Sequence, residues 1–479
     1  MNIFLKSNAN SKIGKLVEKI KKLTDNSVFN NKVFLVGGVV RDFLLYGENL
    51  DFKCHDVDIV VESENGGIAF ATWLAYHTGC HVQSKNPCIF PTYGVAKMRI
   101  YTDPELSDIE LECVQTRKEK YNKETRNPDT AYGTIEQDAM RRDLTINALY
   151  YNISTDEVCD FTHRGLDDIK NHVIRTTGDA NLIFDDDPLR ILRVVRFANR
   201  LGWPIEKNTW VGMITNSKRI SILSQERVTE ELNKMLLSDN PSDAIRRLDR
   251  CNVLHRVLPS LEMSKHVYQD LNPKRTLYEH VLETLDKTPK VLEARLAALF
   301  HDIGKLKTYE KNFLYHSQIG ADMAEEVMKA MKYSGATIGT VKKAIENHEE
   351  FSSYFGGTIP RPAVIRKFVS KFDGNDKDLE VALDLIHANN ITQMYGKKVK
   401  FVPGIKQKIE ELDKKNESGK KIAIPINGKD IMQHFGLKPG VLIGSLMDSV
   451  KKEVINDPHL TKEKALEIVK EKIKKELAY

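Results

Sequence analysis

Hydrophobic and polar positions follow two different periods along this chain, and the changes of period mark its elements. Ile13, Leu16, Val17, Ile20 and Leu23 recur at three- and four-residue intervals between lysines, which predicts an amphipathic helix over 12–23. Two short β-branched runs follow, Val33-Phe34-Leu35-Val36 and Val57-Asp58-Ile59-Val60-Val61, and both predict buried strands. The first ends in Gly37-Gly38, where missing side chains let backbone N–H groups approach a ligand, a loop suited to phosphate. In the second, the period of two puts Asp56 and Asp58 on one face and Val57, Ile59 and Val61 on the core side. Residues 68–77 return to the helical period. Residues 94–100 and 108–114 alternate like two strands of one sheet, with Glu110 and Glu112 on a common face.

Further on, the pattern is helical. The chain of 479 residues is too long for one core, and we expect four parts: 1–155 as a head with a small mixed sheet, 156–270 as a helical neck, 271–395 as a second helical domain, and 396–479 as a tail. The polar, turn-prone Asn272-Pro273-Lys274 marks the second boundary. Composition is ordinary, with 29% charged and 41% hydrophobic residues, and the net charge is only +5. Its distribution is uneven: residues 397–479 carry 19 lysines against 12 acids, which favours a polyanionic partner. The six cysteines form no Cys-x-x-Cys pair, so neither a zinc site nor a disulfide framework is indicated and a reducing cytosol fits. No apolar run approaches the ~20 residues a membrane span needs, and the N-terminus lacks the apolar stretch of a signal peptide. The expectation is a cytoplasmic protein without a membrane partner.

Candidate chemistry gathers around the first two strands. Asp56 and Asp58 converge on one point, and like charges so close need a cation. Hard oxygen ligands beside a phosphate loop suggest Mg²⁺, in pairs when a hydroxyl attacks phosphorus in line. Asp-x-Asp alone also fits a solvated strand end; Gly37-Gly38-x-x-Arg41-Asp42 upstream tips the reading toward a ligand site. Glu112 is a candidate third carboxylate, against a solvent-facing alternative. In Arg141-Arg142-Asp143-Leu144-Thr145-Ile146-Asn147 a guanidinium can fork onto a triphosphate, while Asp143 and Asn147, four apart on one helical face, can hydrogen-bond a ribose. Salt bridges on a helix surface are the alternative there. Asp187 is an N-cap candidate with Pro188 at the first helical position. Arg190, Arg193, Arg196 and Arg200 then fall within one sector of about 120°, opposite Ile191, Leu192, Val194, Val195 and Ala198. Such a stripe faces something anionic.

These motifs, in this order, resemble the polymerase-beta-type nucleotidyltransferases, in the branch holding CCA-adding enzymes and bacterial poly(A) polymerases. Leu144 stands where the family has Phe and Asp186 where it has Glu, and Asp51 competes with Asp56 in the longer connector between the two strands. The stretch holding Arg117, Tyr121, Arg126, Asn127 and Pro128 resembles the family's mobile loop; 160–169 resembles its hinge, and 224–232 its last neck motif. The resemblance implies an α+β fold, a polymerase-beta-like head followed by helical neck, HD-type and tail domains. It implies catalytic Asp56 and Asp58 on Mg²⁺, with Gly37, Gly38, Arg41 and Asp42 at the nucleotide's phosphates. Arg142, Asp143 and Asn147 would serve triphosphate and ribose, and Asp187 and Arg190, with Arg193 beside them, would choose the base. His280, His301-Asp302, His316 and His348 resemble the HD phosphohydrolase superfamily, which implies a second divalent metal at His280, His301, Asp302 and His348. Asn389 stands where that superfamily usually carries its last aspartate. The activity expected is template-independent addition or repair of the 3′-terminal CCA of tRNA from CTP and ATP, with tail lysines on phosphate backbones. Poly(A) synthesis, or an HD phosphohydrolase with an RNA-binding head, are the alternatives.

Overall fold

The structure, a computed structural model, describes residues 11–47, 56–82, 85–120, 129–268, 275–309, 313–354, 358–393, 401–420 and 423–477. Asp51, Tyr121, Arg126, Asn127, Pro128 and the boundaries expected at 270 and 395 lie outside the described residues. The chain forms two compact units, Met1–Leu232 with Ala244–Val257, and Asn233–Asp243 with Leu258–Tyr479.

In the first unit, helix α1 (Lys12–Thr24) covers the predicted span, and Ser11 Oγ caps it by accepting from Gly14 N at 2.9 Å. The strands are β1 (Val33–Val36), β2 (Asp56–Val61), β3 (Cys88–Phe90), β4 (Val95–Met98), β5 (Glu110–Gln115), β6 (Arg117–Lys120), β7 (Asp129–Tyr132), β8 (Leu149–Asn152) and β9 (Glu157–Asp160). Seven of them make a mixed sheet in the order β3-β4-β5-β2-β1-β8-β9, and β6 and β7 form a separate ribbon. Only the β2–β5 pair is parallel, and its register sets Asp56 opposite Glu110 and Asp58 opposite Glu112. Four carboxylates therefore share one face.

Helices α2 (Gly38–Tyr46) and α3 (Gly66–His77) follow β1 and β2. On the face bearing Val57, Ile59 and Cys113, α3 approaches so closely that a Cβ on Gly67 would lie 2.6 Å from the Val114 backbone. On the opposite face α4 (Ile135–Met140) sets Ile135 and Ala139 against Phe34, Val60 and Tyr150. That cover stops short of the Asp56 end of β2, where both aspartates are exposed. The hairpin β8–β9 carries the sheet past residue 155, where the head was expected to end. After β9 the first unit is helical: α5 (Gly165–Lys170), α6 (Ala180–Asp186), α7 (Leu189–Leu201), α8 (Lys207–Asn216) and the start of α9 (Gln225–Leu236). Helix α7 ends at Gly202, whose φ of 70° suits the left-handed cap.

In the second unit no strand occurs among the described residues. Helices α10 (Leu277–Lys287), α11 (Leu292–Phe300), α12 (His316–Ala330), α13 (Gly335–Asn347), α14 (Pro362–Ser370) and α15 (Asp376–Gln393) enclose a core that includes Leu282, Leu296, Val341 and Leu385. The tail adds α16 (Phe401–Asp413), α17 (Gly428–Phe435), α18 (Val441–Asn456) and α19 (Lys462–Leu477), with its own cluster around Ile431, Leu446, Val450 and Val469. Arg366 ties α14 to this tail by donating to the carbonyls of Ile455 and Asn456 at 2.7 and 2.6 Å, which caps the end of α18.

The helix-to-sheet spacing at Gly67 gives a stability test. Gly67→Ala puts a methyl into backbone, so the first unit should lose about 2–3 kcal/mol of stability, at the upper end of overpacking costs. Urea unfolding followed by near-UV circular dichroism measures it; an unchanged midpoint would show that α3 slides freely.

Candidate active site and a buried histidine cluster

The site begins at the β1–α2 turn. Gly37 holds φ at +74°, a conformation that suits glycine, and a Cβ built there would meet Asp58 Oδ2 at 3.6 Å, Arg142 Nη1 at 4.0 Å and the Asn147 carbonyl oxygen at 4.0 Å. Three separate stretches thus converge on one small space: the glycine turn, β2 and the segment after α4. Although the Asp58 side chain is exposed on the open face, the protein packed beside its carboxyl raises the pKa from its ordinary value. Glu112 and Asp56 add like charge, and Arg142 opposes them. An aspartate raised by its neighbours, with hard oxygen donors on one open face, fits a divalent cation.

Behind this space the polar residues lock one another. Arg41, almost fully buried, donates from Nη1 to Asn147 Oδ1 at 2.6 Å and from Nε to Asp42 Oδ1 at 2.7 Å. Asn147 Nδ2 donates to Asp143 Oδ1 at 3.2 Å, and Arg193 Nε donates to Asp143 Oδ2 at 2.7 Å. The helical face expected to carry Asp143 and Asn147 is not formed. Helix α4 ends at Met140, and a single 3₁₀ turn, Thr145–Asn147, brings the two together instead. The local cause is Asp143 Oδ1, which accepts the Leu144 N–H at 2.8 Å and diverts the backbone from helix. Arg142 is held from behind by Asp138 at 3.1 Å and the Tyr150 hydroxyl at 2.9 Å.

The arginine stripe of α7 meets anions, as its pattern requires, but they are the protein's own. Arg193 pairs with Asp143, Arg196 with Glu231 at 2.6 Å, and Arg200 with Asp42 at 3.1 Å. Arg190, buried, donates to the carbonyls of Arg141 and Ile183 at 2.7 and 3.3 Å and lies 3.8 Å from Glu119. Asp187 accepts the Leu189 N–H at 3.1 Å and receives Arg227 Nη2 at 2.8 Å, but the N-cap of α7 is Pro188, so Asp187 stands one residue earlier than the cap position expected of it. Sequence reading missed Asp138, Tyr150, Glu119, Arg227 and Glu231. Tyr150 had a signal in the apolar run Ala148-Leu149-Tyr150-Tyr151, which is strand β8, and Arg227 and Glu231 lay in the stretch 224–232 that resembles the family's last neck motif. Glu110 and Glu112 both pair with Lys97, at 3.3 and 3.0 Å, and Glu110 also with Arg99 at 3.3 Å.

The second unit gathers His280, His301, Asp302, His316 and His348, all buried, into two overlapping groups that share Asp302. The Nδ1 atoms of His301, His316 and His348 lie 2.9, 2.9 and 2.7 Å from carbonyls three residues earlier, so each donates there and turns an Nε2 lone pair inward. Their Nε2 atoms stand 3.2–3.5 Å from Asp302 oxygens. That donor set fits a divalent metal. His280 is different, because Arg275 can only donate and lies 3.1 Å from its Nδ1, which leaves the ring proton on Nε2, 3.0 Å from His301 Nε2. Burial holds His280 down, at about 3. His316, part of this cluster, extends the four-residue set expected from sequence. Asn389 Oδ1 accepts from Gln393 Nε2 at 3.3 Å.

A mixed sheet that ends in a glycine turn over an Asp-x-Asp, backed by helices, defines a nucleotidyltransferase head. Residues 33–175 match the poly A polymerase head domain family, 202–264 the family described as the probable RNA and SrmB-binding site of polymerase A, and 277–388 the HD domain family. The chain belongs to the family of CCA-adding enzymes and bacterial poly(A) polymerases, with an HD domain following the neck. It is 28% identical over 493 residues to the mitochondrial CCA tRNA nucleotidyltransferase of Candida glabrata, covering 91% of this chain and 90% of that one. It is 27% identical over 450 residues to the CCA-adding enzyme of Ligilactobacillus salivarius, covering 92% and 94%. Its fold resembles that of the Bacillus stearothermophilus CCA-adding enzyme in complex with CTP, with a TM-score of 0.64 at 19% identity over 93% and 95% of the two chains. Nucleotidyltransferases of this family use a divalent metal.

The ion pairs under Arg142 carry a pH signature. Burial alone would raise Asp138, but the Arg142 and Arg141 guanidiniums and the Tyr150 hydroxyl overcome it and hold the carboxyl at about 2. A folded pKa below the unfolded value of about 3.9 gives stability that is fully present above pH 4 and is lost as pH falls through 2. The difference corresponds to about 2–3 kcal/mol. Asp138→Asn should therefore lower stability at pH 7 and flatten the acid limb between pH 4 and 2. Denaturant midpoints across that range check it, and parallel acid limbs for the two proteins would refute it.

Proposed function

We propose that this chain adds or repairs the 3′-terminal CCA of tRNA, using CTP and ATP and releasing pyrophosphate, without a nucleic-acid template. The observation that carries the reading is the convergence of Gly37, Asp58 and Arg142 on one space on an exposed sheet face. Asp56 and Asp58 would hold Mg²⁺, which supplies activation of the primer 3′-hydroxyl and neutralisation of the leaving pyrophosphate. The Gly37–Gly38 turn leaves room for a triphosphate to approach the backbone, and Arg142, kept charged and oriented by Asp138 and Tyr150, points its Nη1 into that room. Arg41 and Asp42 shape the turn from within, Arg41 through Asn147. Asp143 and Asn147 lie together at the ribose side, with Arg193 fixing Asp143.

Base choice falls to the start of α7. A carboxylate accepts from the exocyclic amine that C and A share, and a guanidinium donates to the ring nitrogen beside it, whereas U and G present the opposite pattern. Asp187 and Arg190 are the acceptor and donor in this reading, with Arg193 between them and Asp143. The head runs past 155, since β9 of its sheet ends at Asp160, and is followed in this reading by a helical neck to 270, an HD-type domain to 395 and a basic tail on the tRNA backbone. The unpaired cysteines suit a cytoplasmic setting. A second divalent metal in the HD cluster, on His301, Asp302, His316 and His348 with His280 beside them, is a separate centre in this reading.

The decisive experiment supplies tRNA lacking its last one, two or three nucleotides with each NTP singly, and sequences the ends. Addition of C, C and then A alone supports the reading, and runs of A on any 3′ end would assign poly(A) synthesis. Asp56→Ala and Asp58→Ala should each remove incorporation of both CTP and ATP while leaving tRNA binding and the fold nearly intact. Retention of more than about a tenth of the rate, a loss under about 1.4 kcal/mol of barrier, sinks the assignment.

Asp187 separates two roles. As a purely structural tie to the Leu189 N–H and Arg227, its loss to Ala costs about 1 kcal/mol of stability and leaves fidelity unchanged. As the base acceptor, Asp187→Asn accepts the Leu189 N–H almost as well but presents an amide in place of a carboxylate, so UTP misincorporation should rise at near-normal stability. Single-nucleotide incorporation assays with all four NTPs, beside a thermal melt, distinguish the outcomes.

A further inference from the structure

The sheet face that carries Asp58 does not stop at the carboxylates. Residues directly opposite across neighbouring strands point the same way, and the registers Asp58–Glu112, Glu112–Lys97 and Lys97–Cys88 draw one continuous row from β2 out to the edge strand. One step along, Phe90 lies opposite Val95 on the same face and is 40% exposed, large for an aromatic ring on a sheet. Arg99, just past β4, reaches the same face through Glu110 at 3.3 Å. The outer half of this face is thus two cations and an aromatic ring beside four carboxylates.

We propose that Lys97, Arg99 and Phe90 form the track along which the single-stranded 3′ end of the RNA primer reaches Asp56 and Asp58, the cations holding backbone phosphates and the ring stacking a base. This proposal rests on the reading of Asp56 and Asp58 as the catalytic pair. Charge balance supports it. As the structure stands, Lys97 and Arg99 neutralise Glu110 and Glu112, and the four acids leave the face net negative, a poor surface for RNA. A face that must accept both divalent cations and a polyanion needs its acids for the former and its bases for the latter. The side chains of Lys97 and Arg99 keep 41% and 42% of their surface exposed, so each can turn from its carboxylate to a phosphate. An exposed aromatic next to two such cations is the combination that binds single strands without reading sequence. Chemistry at a 3′-terminal hydroxyl requires such a strand to arrive beside the carboxylates.

The test is equilibrium binding of a fluorescein-labelled tRNA lacking its last three nucleotides, measured by anisotropy in Ca²⁺ across a series of salt concentrations. Lys97→Met and Arg99→Met, which keep the apolar stem, should each weaken binding about 3–10-fold and lower the slope of log affinity against log salt by nearly one. Lys97→Arg should restore both. Phe90→Ala should weaken binding about 5–10-fold with the slope unchanged, since stacking releases no counterions. Unchanged affinity and slope in the two Met variants, with normal melting temperatures, overturn the track. So does a raised KM for CTP at unchanged tRNA affinity, which would assign the cations to the nucleotide's own phosphates. Asp58→Asn, measured in the same binding assay and separately for CTP incorporation in Mg²⁺, keeps the two readings apart: bound tRNA with no incorporation supports the catalytic pair whatever the track variants do, and retained incorporation removes that pair alone.

Discussion

Like charge held at short range on one sheet face is the constraint on which the first unit depends. The parallel β2–β5 pair sets Asp56 and Asp58 against Glu110 and Glu112 in register, and no rotation of a rigid strand can separate them. Such a cluster persists only if cations are built in nearby. The fold supplies them from different directions: Lys97 from β4 and Arg99 from just past its end, Arg142 from the segment after α4. The outer acids are thus neutralised by the fold itself, and the inner pair is the one proposed to take a divalent cation.

The second layer of the unit is an ion-pair seam. Arg193, Arg196 and Arg200 reach from α7 to Asp143, Glu231 and Asp42, and Arg190 binds the carbonyl of Arg141. Paired buried charges contribute little net stability, but leaving one unpaired is costly, so such a seam fixes geometry more than it adds free energy. It joins the helix proposed to choose the base to the turn proposed to hold the triphosphate. A change at Asp143 therefore bears on both.

Much of this was legible in the sequence, where the signal is local. The period of two in 57–61 and the apolar stripe of α1 each report their own surroundings, and both elements formed where expected, whereas the loop expected at Gly37-Gly38 is a tight turn from which α2 starts at Gly38. The partners of a charge were not legible. Four arginines without acids on their own helix read as a surface awaiting an anion, because Glu231 and Asp42 are 35 and 158 residues from theirs. Asp143 and Asn147 came together as expected, although by a 3₁₀ turn in place of a helix. The β6–β7 ribbon escaped because Arg117-Lys118-Glu119-Lys120 has no apolar alternation; its reason for being a strand lies in Arg141 and Arg190, which hold Glu119.

Exposure distinguishes the two clusters of ligands in this chain. Asp56 and Asp58 are oxygen donors on an open face, whereas the HD cluster buries three inward-turned imidazoles, a fourth at His280 and a carboxylate almost completely. An open pair of hard donors binds a hydrated cation weakly and lets a large polymer bring further oxygens to it. A buried cage with nitrogen donors, each fixed by its own backbone carbonyl, binds softer divalent ions tightly. Arg275 complicates the cage, because a cation donating to His280 opposes a second positive charge on the same ring. In the proposed reading the head would therefore exchange its ions with each substrate, and the cage would keep one.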